Sequence, residues 1–363
     1  MLKKLTIDNF RGFQHLELGP LDRVNLIAAK NNGGKTALLE ALRVLWHPDD
    51  PRVVAKLYRE RGFLSMFSRV GYEEMWTWLF HQRHIDKPAV ITANDEQGAN
   101  RLRLRLLQLS QPVKVNLSES EAQSRSTDED QLPLRDLSIE LEMAYEASVQ
   151  SFGQVTKARR SPKGGLDVVY DRPALPKGPV MVLIGTSPEL SGPVVSMFST
   201  LAKRKAEQPV IEAARKVEKR LRRLSVQVLG NRPMLHADLG GQELIPLRLM
   251  GDGFQRLIEV LIAAFYLQDG LLLIDEIENG LHFSVLPDLW TAIREATRQT
   301  NVQVFATTHS YDCIRTAHNA FIQEEPYGLR LHRLEYDEAG QVVGKTYDRD
   351  TLDASLEMLL EVR

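Results

Sequence analysis

The chain has 363 residues, 43% of them apolar and 26% charged, with a formal net charge of −2. That length suits one large α/β domain with an insertion, or two modest domains. The balanced charge excludes a polycation built to coat nucleic acid, and a single cysteine, Cys313, excludes a disulfide framework or a cysteine-based metal site.

The N-terminus, Met1 to Phe10, is interrupted by polar residues too soon for a signal-peptide core. No apolar run approaches the roughly 20 residues of a membrane helix. The longest, Leu257 to Ile274, is broken by Glu259, Gln268 and Asp269. A soluble, cytoplasmic protein with no membrane partner is expected.

Lys3 to Phe10 alternates like a strand, and Phe13 to Leu18 reads as its hairpin partner with Gly12 at the turn. Val24 to Ala28 is a short buried strand. Thr36 to Leu45 then has helical apolar spacing through Leu38, Leu39, Leu42 and Leu45. From about His47 to Leu190 there is no βαβ rhythm. Ala89 to Thr92 and Leu102 to Leu106 read as antiparallel strands about an Asp95-Glu96-Gln97-Gly98 turn, and Leu137 to Met143 and Val180 to Ile184 as further strands. Ser118 to Gln131 is polar and acidic and reads as a mobile loop. Pro209 to Leu224 and Leu257 to Leu267 read as helices, Leu271 to Ile274 as a strand, Leu286 to Thr297 as a helix and Val302 to Thr307 as a strand. A hairpin turned at Asp337 to Gly340 and a helix from about Leu352 close the chain. No sustained heptad run predicts a coiled coil.

Four segments carry chemistry. The first is Ala29-Lys30-Asn31-Asn32-Gly33-Gly34-Lys35-Thr36-Ala37, between a predicted strand and helix. Its glycines let backbone N–H groups converge on phosphate oxygens, the helix adds its positive N-terminal end, Lys35 reaches the outer phosphates, and Thr36 offers a hydroxyl to Mg²⁺. Ala29 replaces the pattern's first glycine. The second is Leu271-Leu272-Leu273-Ile274-Asp275-Glu276, an aliphatic strand ending in two carboxylates. Asp275 suits the Mg²⁺ shell and Glu276 the activation of water. Taken alone, the pair is equally a core strand followed by a solvated turn. The third, Val304 to Ser310, ends a strand in hydroxyls and His309, either a γ-phosphate contact or a surface cap. The fourth, Leu249 to Arg256, sets Gly251-Asp252-Gly253 before a helix, as an anion site or a simple cap. Together they spell an ATP site with catalytic Lys35, Glu276 and His309.

In these segments the sequence resembles the ABC-type AAA ATPases of the OLD-like and SMC-like head-domain group. Asn9-Phe10-Arg11-Gly12-Phe13 is similar to that group's opening motif, Asn31 to Thr36 with Leu38 to Leu42 to its Walker A helix, Asp275 to His282 to its Walker B and D-loop, and Thr307 to Ser310 to its switch histidine. The resemblance implies a P-loop NTPase head of α/β class, with a mixed sheet and a β-rich plus helical insertion. It implies a core at 1–46 and 230–320, a divergent insertion at 47–229, and a C-terminal hairpin and helix at 321–363 completing the core. It further implies ATP and Mg²⁺ as ligands, a phosphate contact from Arg11, a signature role in trans for Gly251, Asp252 and Gly253, and a head homodimer. Too few residues follow His309 for the Toprim nuclease of OLD-like proteins. The expected activity is ATP hydrolysis controlling DNA processing or phage defence through a separate effector such as a nuclease. DNA stays open as a partner, and the alternative is a slow nucleotide-gated switch that recruits a partner.

Lys203-Arg204-Lys205 with Arg215, Lys216, Lys219, Arg220, Arg222 and Arg223 is the most basic stretch and reads first as a solvated helix face, with phosphate backbones as the other reading. Trp46, Trp76, Trp78 and Trp290 are expected in core or interface positions. His81 and His84 have no further metal ligands nearby.

Overall fold

In the computed structural model, residues 1–30, 32–63, 72–108, 139–148, 152–160, 166–171, 180–185 and 191–362 are described. Strand β1 (Leu2–Phe10) buries Leu5, Ile7 and Phe10 and turns into β2 (Phe13–Leu18), with Phe10 opposite Phe13. The left-handed residues of this hairpin are Asn9 (φ 50°) and Arg11 (φ 53°), while Gly12 keeps a negative-φ backbone that most residues could adopt.

The wholly buried β3 (Val24–Ala29) leads through the glycine loop to α1 (Lys35–Trp46), followed by α2 (Arg52–Glu60) and α3 (Tyr72–Thr77). Next come β4 (Ala89–Asp95), β5 (Ala99–Gln108), β6 (Ile139–Ala147), β7 (Phe152–Arg160) and β8 (Leu166–Tyr170). They continue the β1–β2 hairpin into one antiparallel sheet of order β2-β1-β4-β5-β6-β7-β8. The acidic stretch Ser118 to Gln131 lies outside the described residues.

Strand β9 (Met181–Ile184) precedes α4 (Ser191–Lys203), α5 (Gln208–Val217), β10 (Arg223–Leu229), β11 (Arg232–Asp238) and β12 (Ile245–Pro246). Then follow α6 (Asp252–Tyr266), β13 (Leu271–Ile274), α7 (Leu286–Thr300), β14 (Gln303–Thr308), α8 (Tyr311–Phe321), β15 (Leu329–Tyr336), β16 (Val342–Tyr347) and α9 (Arg349–Glu357). The central sheet has the order β16-β15-β3-β14-β13-β9, parallel except for β16.

Side-chain alternation on the central strands sends apolar groups to both faces. Val24, Leu26, Leu272, Ile274, Val304 and Ala306 pack with the helices from α4 onward. Ile27, Ala29, Leu271, Leu273 and Phe305 pack with α1, α2 and the antiparallel sheet. The molecule is thus an α/β fold in which an antiparallel sheet covers one face of a largely parallel core and helices cover the other.

Two expectations change. The helix expected over Pro209 to Leu224 stops at Val217, and β10 begins at Arg223. Leu224, Val226 and Val228 alternate and pair with Ala237, Leu235 and Pro233 of β11, so hairpin pairing overrides helical propensity there. Arg215 holds the exit from the helix, donating to the carbonyls of Leu221 at 2.8 Å and Arg222 at 3.1 Å. Sheet pairing also crosses the boundaries expected at 46/47 and 229/230. β4 to β8 extend the sheet that the N-terminal hairpin begins, and β9 is an edge strand of the central sheet. Among the described residues, no helix is long and apolar enough to cross a membrane.

Candidate functional site

β3 delivers Ala29 to the mouth of the central sheet, where the chain turns back on itself with Gly33 N donating to the Lys30 carbonyl at 3.0 Å. A Cβ on Gly33 would lie 2.6 Å from Cβ of Ala29, so the bare position that matters sits at Gly33, and alanine is tolerated at 29. Gly34 is left-handed at φ 89°, and a Cβ there would meet the Phe13 ring at 2.8 Å. The Tyr336 hydroxyl donates to the Asn32 carbonyl at 3.0 Å, tying the C-terminal hairpin to the loop. Asn31 lies outside the described residues.

Lys35 opens α1 only 9% exposed, and its ammonium donates to the carbonyls of Ala29 at 2.7 Å and Lys30 at 3.4 Å. Burial holds its pKa below the ordinary lysine value, opposed by Glu276, Glu278 and Asp275. Thr36 donates to Asp275 Oδ2 at 3.4 Å. The other Asp275 oxygen accepts from Thr307 Oγ1 at 2.7 Å, and that hydroxyl accepts from Glu276 N at 2.7 Å. Glu276 has φ 47°, a left-handed backbone that costs a β-carbon residue about 1–3 kcal/mol. This break in strand geometry separates the adjacent carboxylates: Glu276 lines the same cavity as Lys35 and Thr36, while Asp275 bonds to Thr36 and Thr307.

That cavity, of about 940 Å³, is walled on one side by Asn32, Gly33, Gly34, Lys35, Thr36 and Ala37. Arg11 lines it too, with Nε 3.0 Å from Glu40 Oε2 and Nη1 donating to the Tyr58 hydroxyl at 2.9 Å. Asp275 lies behind Thr36 against a smaller cavity shared with Glu40 and Glu60.

His309 follows β14 and lies off this cavity's wall. Glu278 fixes it, Oε1 accepting from His309 N at 2.9 Å and standing 3.2 Å from Nδ1. Ser310 caps α8 by accepting from Cys313 N. Gly251, Asp252 and Gly253 start α6 away from the cavity, where Gly253 meets the backbone of Gly280. Three further contributors carry little sequence signal of their own. Glu278 was visible only as part of the D-loop stretch and Thr307 only as one of several hydroxyls. The third is Arg256, buried on α6, which donates to the carbonyls of Asp275 at 2.6 Å and Ile184 at 3.4 Å, and to that of Gly185. Burial lowers its pKa from the usual arginine value.

Of the four tryptophans, Trp76 and Trp290 are buried and Trp46 is half-buried, but Trp78 is 54% exposed on the cavity wall. The His81 and His84 rings meet edge-to-face at 6.4 Å, and His81 Nδ1 lies 3.3 Å from the Arg11 carbonyl. Among the described residues, no three potential metal ligands gather. Three residues of the basic stretch are ion-paired, Arg220 on Glu218, Arg223 on Asp238 and Lys216 near Glu295.

Two family models match the chain. One, described as an AAA domain, matches residues 4–63, and one described as "AAA domain, putative AbiEii toxin, Type IV TA system" matches residues 198–312. An ATP/GTP phosphatase of Helicobacter pylori is 31% identical over 118 residues, which make up 31% of this chain and 31% of that protein. An uncharacterised protein of Methanocaldococcus jannaschii is 48% identical over 42 residues, 12% of this chain and 19% of that protein. The chain therefore matches under a third of the length of these relatives. A solved SMC head bound to the C-terminal winged-helix domain of ScpA aligns with 98% of this chain and 99% of that one, at 13% identity and a TM-score of 0.46. The two segments that match AAA-domain models hold Lys35, Thr36, Asp275, Glu276 and His309.

Proposed function

We propose that this protein binds ATP in the glycine-loop cavity and hydrolyses it to ADP and phosphate. The observation that carries the reading is the convergence of Lys35, Thr36 and Glu276 on one cavity, with Asp275 bonded to Thr36. In this reading Lys35 exchanges its loop carbonyls for the β- and γ-phosphate oxygens. Glu276 orients a water molecule and accepts its proton as the water oxygen attacks the γ-phosphorus. The Thr36 hydroxyl and the Asp275 carboxylate are neighbouring hard oxygen donors and fit a divalent cation such as Mg²⁺. When bound, that ion would neutralise charge on the β- and γ-phosphates. Thr307 holds both carboxylate-bearing residues in register, and Glu278 keeps the His309 ring oriented for a γ-phosphate contact.

The position of Gly251, Asp252 and Gly253 outside the cavity supports a second element of the proposal. Two copies pair head to head, each presenting its α6 N-terminus to the nucleotide of the other. The nucleotide then sets the population of the closed pair. By resemblance to SMC-like heads, and with one matched model described as a putative toxin of a toxin–antitoxin system, the closed pair would act on a separate partner chain. Phosphate release from ATP, measured with and without Mg²⁺ and with and without DNA, tests the activity. No release above background under any of these conditions would refute it.

A further inference from the structure

The cavity that the glycine loop and Lys35 line is also lined by the aromatic side chains of Tyr58, Phe63, Trp78 and Phe80 and by Arg83. Trp78 is the anomaly there. It exposes 54% of its surface although a tryptophan gains most by burial, and the ring contact it makes is with the Arg83 guanidinium, 4.9 Å from the ring centroid. Arg83 is itself held by donation from Nε to Thr77 Oγ1 at 3.1 Å, and Gln82 and Arg83 are both left-handed, at φ 47° and 60°.

This segment is far from the glycine loop in sequence, yet its distance from that loop is fixed. The β1–β2 turn acts as a bracket between them. On one side Phe13 packs against Gly34. On the other, Phe10 bridges to Phe80, Arg11 N donates to the Leu79 carbonyl at 2.8 Å, Arg11 Nη1 donates to the Trp78 carbonyl at 3.2 Å, and Asn9 Nδ2 donates to the carbonyls of His84 and Lys87, each at 2.9 Å. A phosphate cradle and a flat exposed ring held at a set separation in one cavity suit a ligand with an anionic tail and a planar head.

We infer that Trp78, with Arg83 stacked on it, is the base-stacking platform of the nucleotide site. The inference rests on the nucleotide reading of the glycine loop and adds to it the half of the site that Walker motifs do not describe. Stacking on an aromatic ring is stabilising for any base, because every base offers a π face. Trp78 is therefore an affinity determinant that acts through the base and leaves the phosphates untouched.

The test titrates the full chain, Trp78→Phe and Trp78→Ala by calorimetry, each with ATP and with inorganic tripolyphosphate, which has the tail but no base. The exposure of Trp78 makes both variants compatible with folding, and equal thermal midpoints check this. The expected result is ATP affinity about tenfold or more weaker in Trp78→Ala and largely restored in Trp78→Phe, with tripolyphosphate binding the same in all three. Unchanged ATP affinity in Trp78→Ala overturns the platform. So does an equal loss for tripolyphosphate, which marks damage to the cavity. If the unaltered chain binds neither ligand, the nucleotide reading fails and takes the platform with it. ATP binding by that chain with no effect of Trp78→Ala sinks the platform alone.

Discussion

Gly253 and Gly280 touch backbone to backbone, so that a Cβ placed on Gly253 would collide with the carbonyl oxygen of Gly280. The α6 N-terminus is thereby pressed against the loop that follows the paired carboxylates. A signature role in trans alone would make a substitution at Gly253 disturb only assembly. The contact predicts damage within one chain as well. Gly253→Ala should lower the thermal midpoint by several degrees, since forcing extra volume into a packed site costs about 1–3 kcal/mol. An unchanged midpoint would show that the two loops separate freely.

Lys35 predicts the sharpest effect on binding. Its buried ammonium is held by two loop carbonyls and balanced by three nearby carboxylates. Lys35→Ala removes the cation that meets the outer phosphates, and ATP affinity should fall by about 100-fold or more. Folding should survive, because a lysine whose pKa burial lowers carries a desolvation cost in the native state. Calorimetry with a parallel thermal melt checks both, and wild-type affinity in the variant would overturn the phosphate-loop assignment.

Glu278 should act through His309. Its Oε1 holds both the backbone N and the ring of that residue. Glu278→Ala should lower kcat about tenfold or more while KM for ATP stays near the wild-type value, the pattern of an interaction lost mainly in the transition state. A raised KM with unchanged kcat would place Glu278 in ground-state binding instead.

Acid sensitivity should centre on His332. Burial, with help from Arg330, lowers its pKa from 6.5 to about 3. Asn25 Nδ2 donates to the carbonyls of Asp22 and Val304, which fixes Oδ1 towards His332 Nε2 at 3.3 Å, so the neutral ring carries its proton on Nε2 and Nδ1 accepts from Thr346 Oγ1 at 2.9 Å. Between pH 6.5 and about 3 the unfolded chain binds the proton and the folded chain does not. This group therefore makes stability fall on acidification, by up to about 1.4 kcal/mol per pH unit. Urea denaturation across this range should give a shallower pH slope for His332→Gln than for the unaltered chain. Identical slopes would contradict the assignment.

How far the site could be read from sequence follows how local its signals are. The glycine loop, α1 and the carboxylates after β13 are contiguous stretches whose chemistry and secondary structure point the same way, and Lys35, Thr36 and Glu276 converge on one cavity with Asp275 bonded to Thr36. The rest depends on distant contacts. β9 reads as one more strand of an insertion until its pairing with β13 places it in the central sheet. Trp78 reads only as a core or interface residue because nothing nearby in sequence reveals that the β1–β2 turn holds it at the cavity. Arg11 reads as a phosphate contact, yet its guanidinium lies against Glu40 and Tyr58, from segments 29 and 47 positions away, which the opening motif alone does not reveal. The Glu276 backbone was equally hidden, since a glutamate carries no sequence signal for φ 47°.

The most direct test of the central claim is the turnover of Glu276→Gln beside its ATP affinity. The amide keeps the shape and reach of the side chain but cannot accept the proton of the attacking water. Lys35, Thr36 and Asp275 are untouched, so ATP with Mg²⁺ should bind as it does to the unaltered chain. Steady-state phosphate release should fall by a factor of about 10²–10⁴. Turnover at the unaltered rate with intact binding would contradict the account, because Glu276 would then not be the base that activates water.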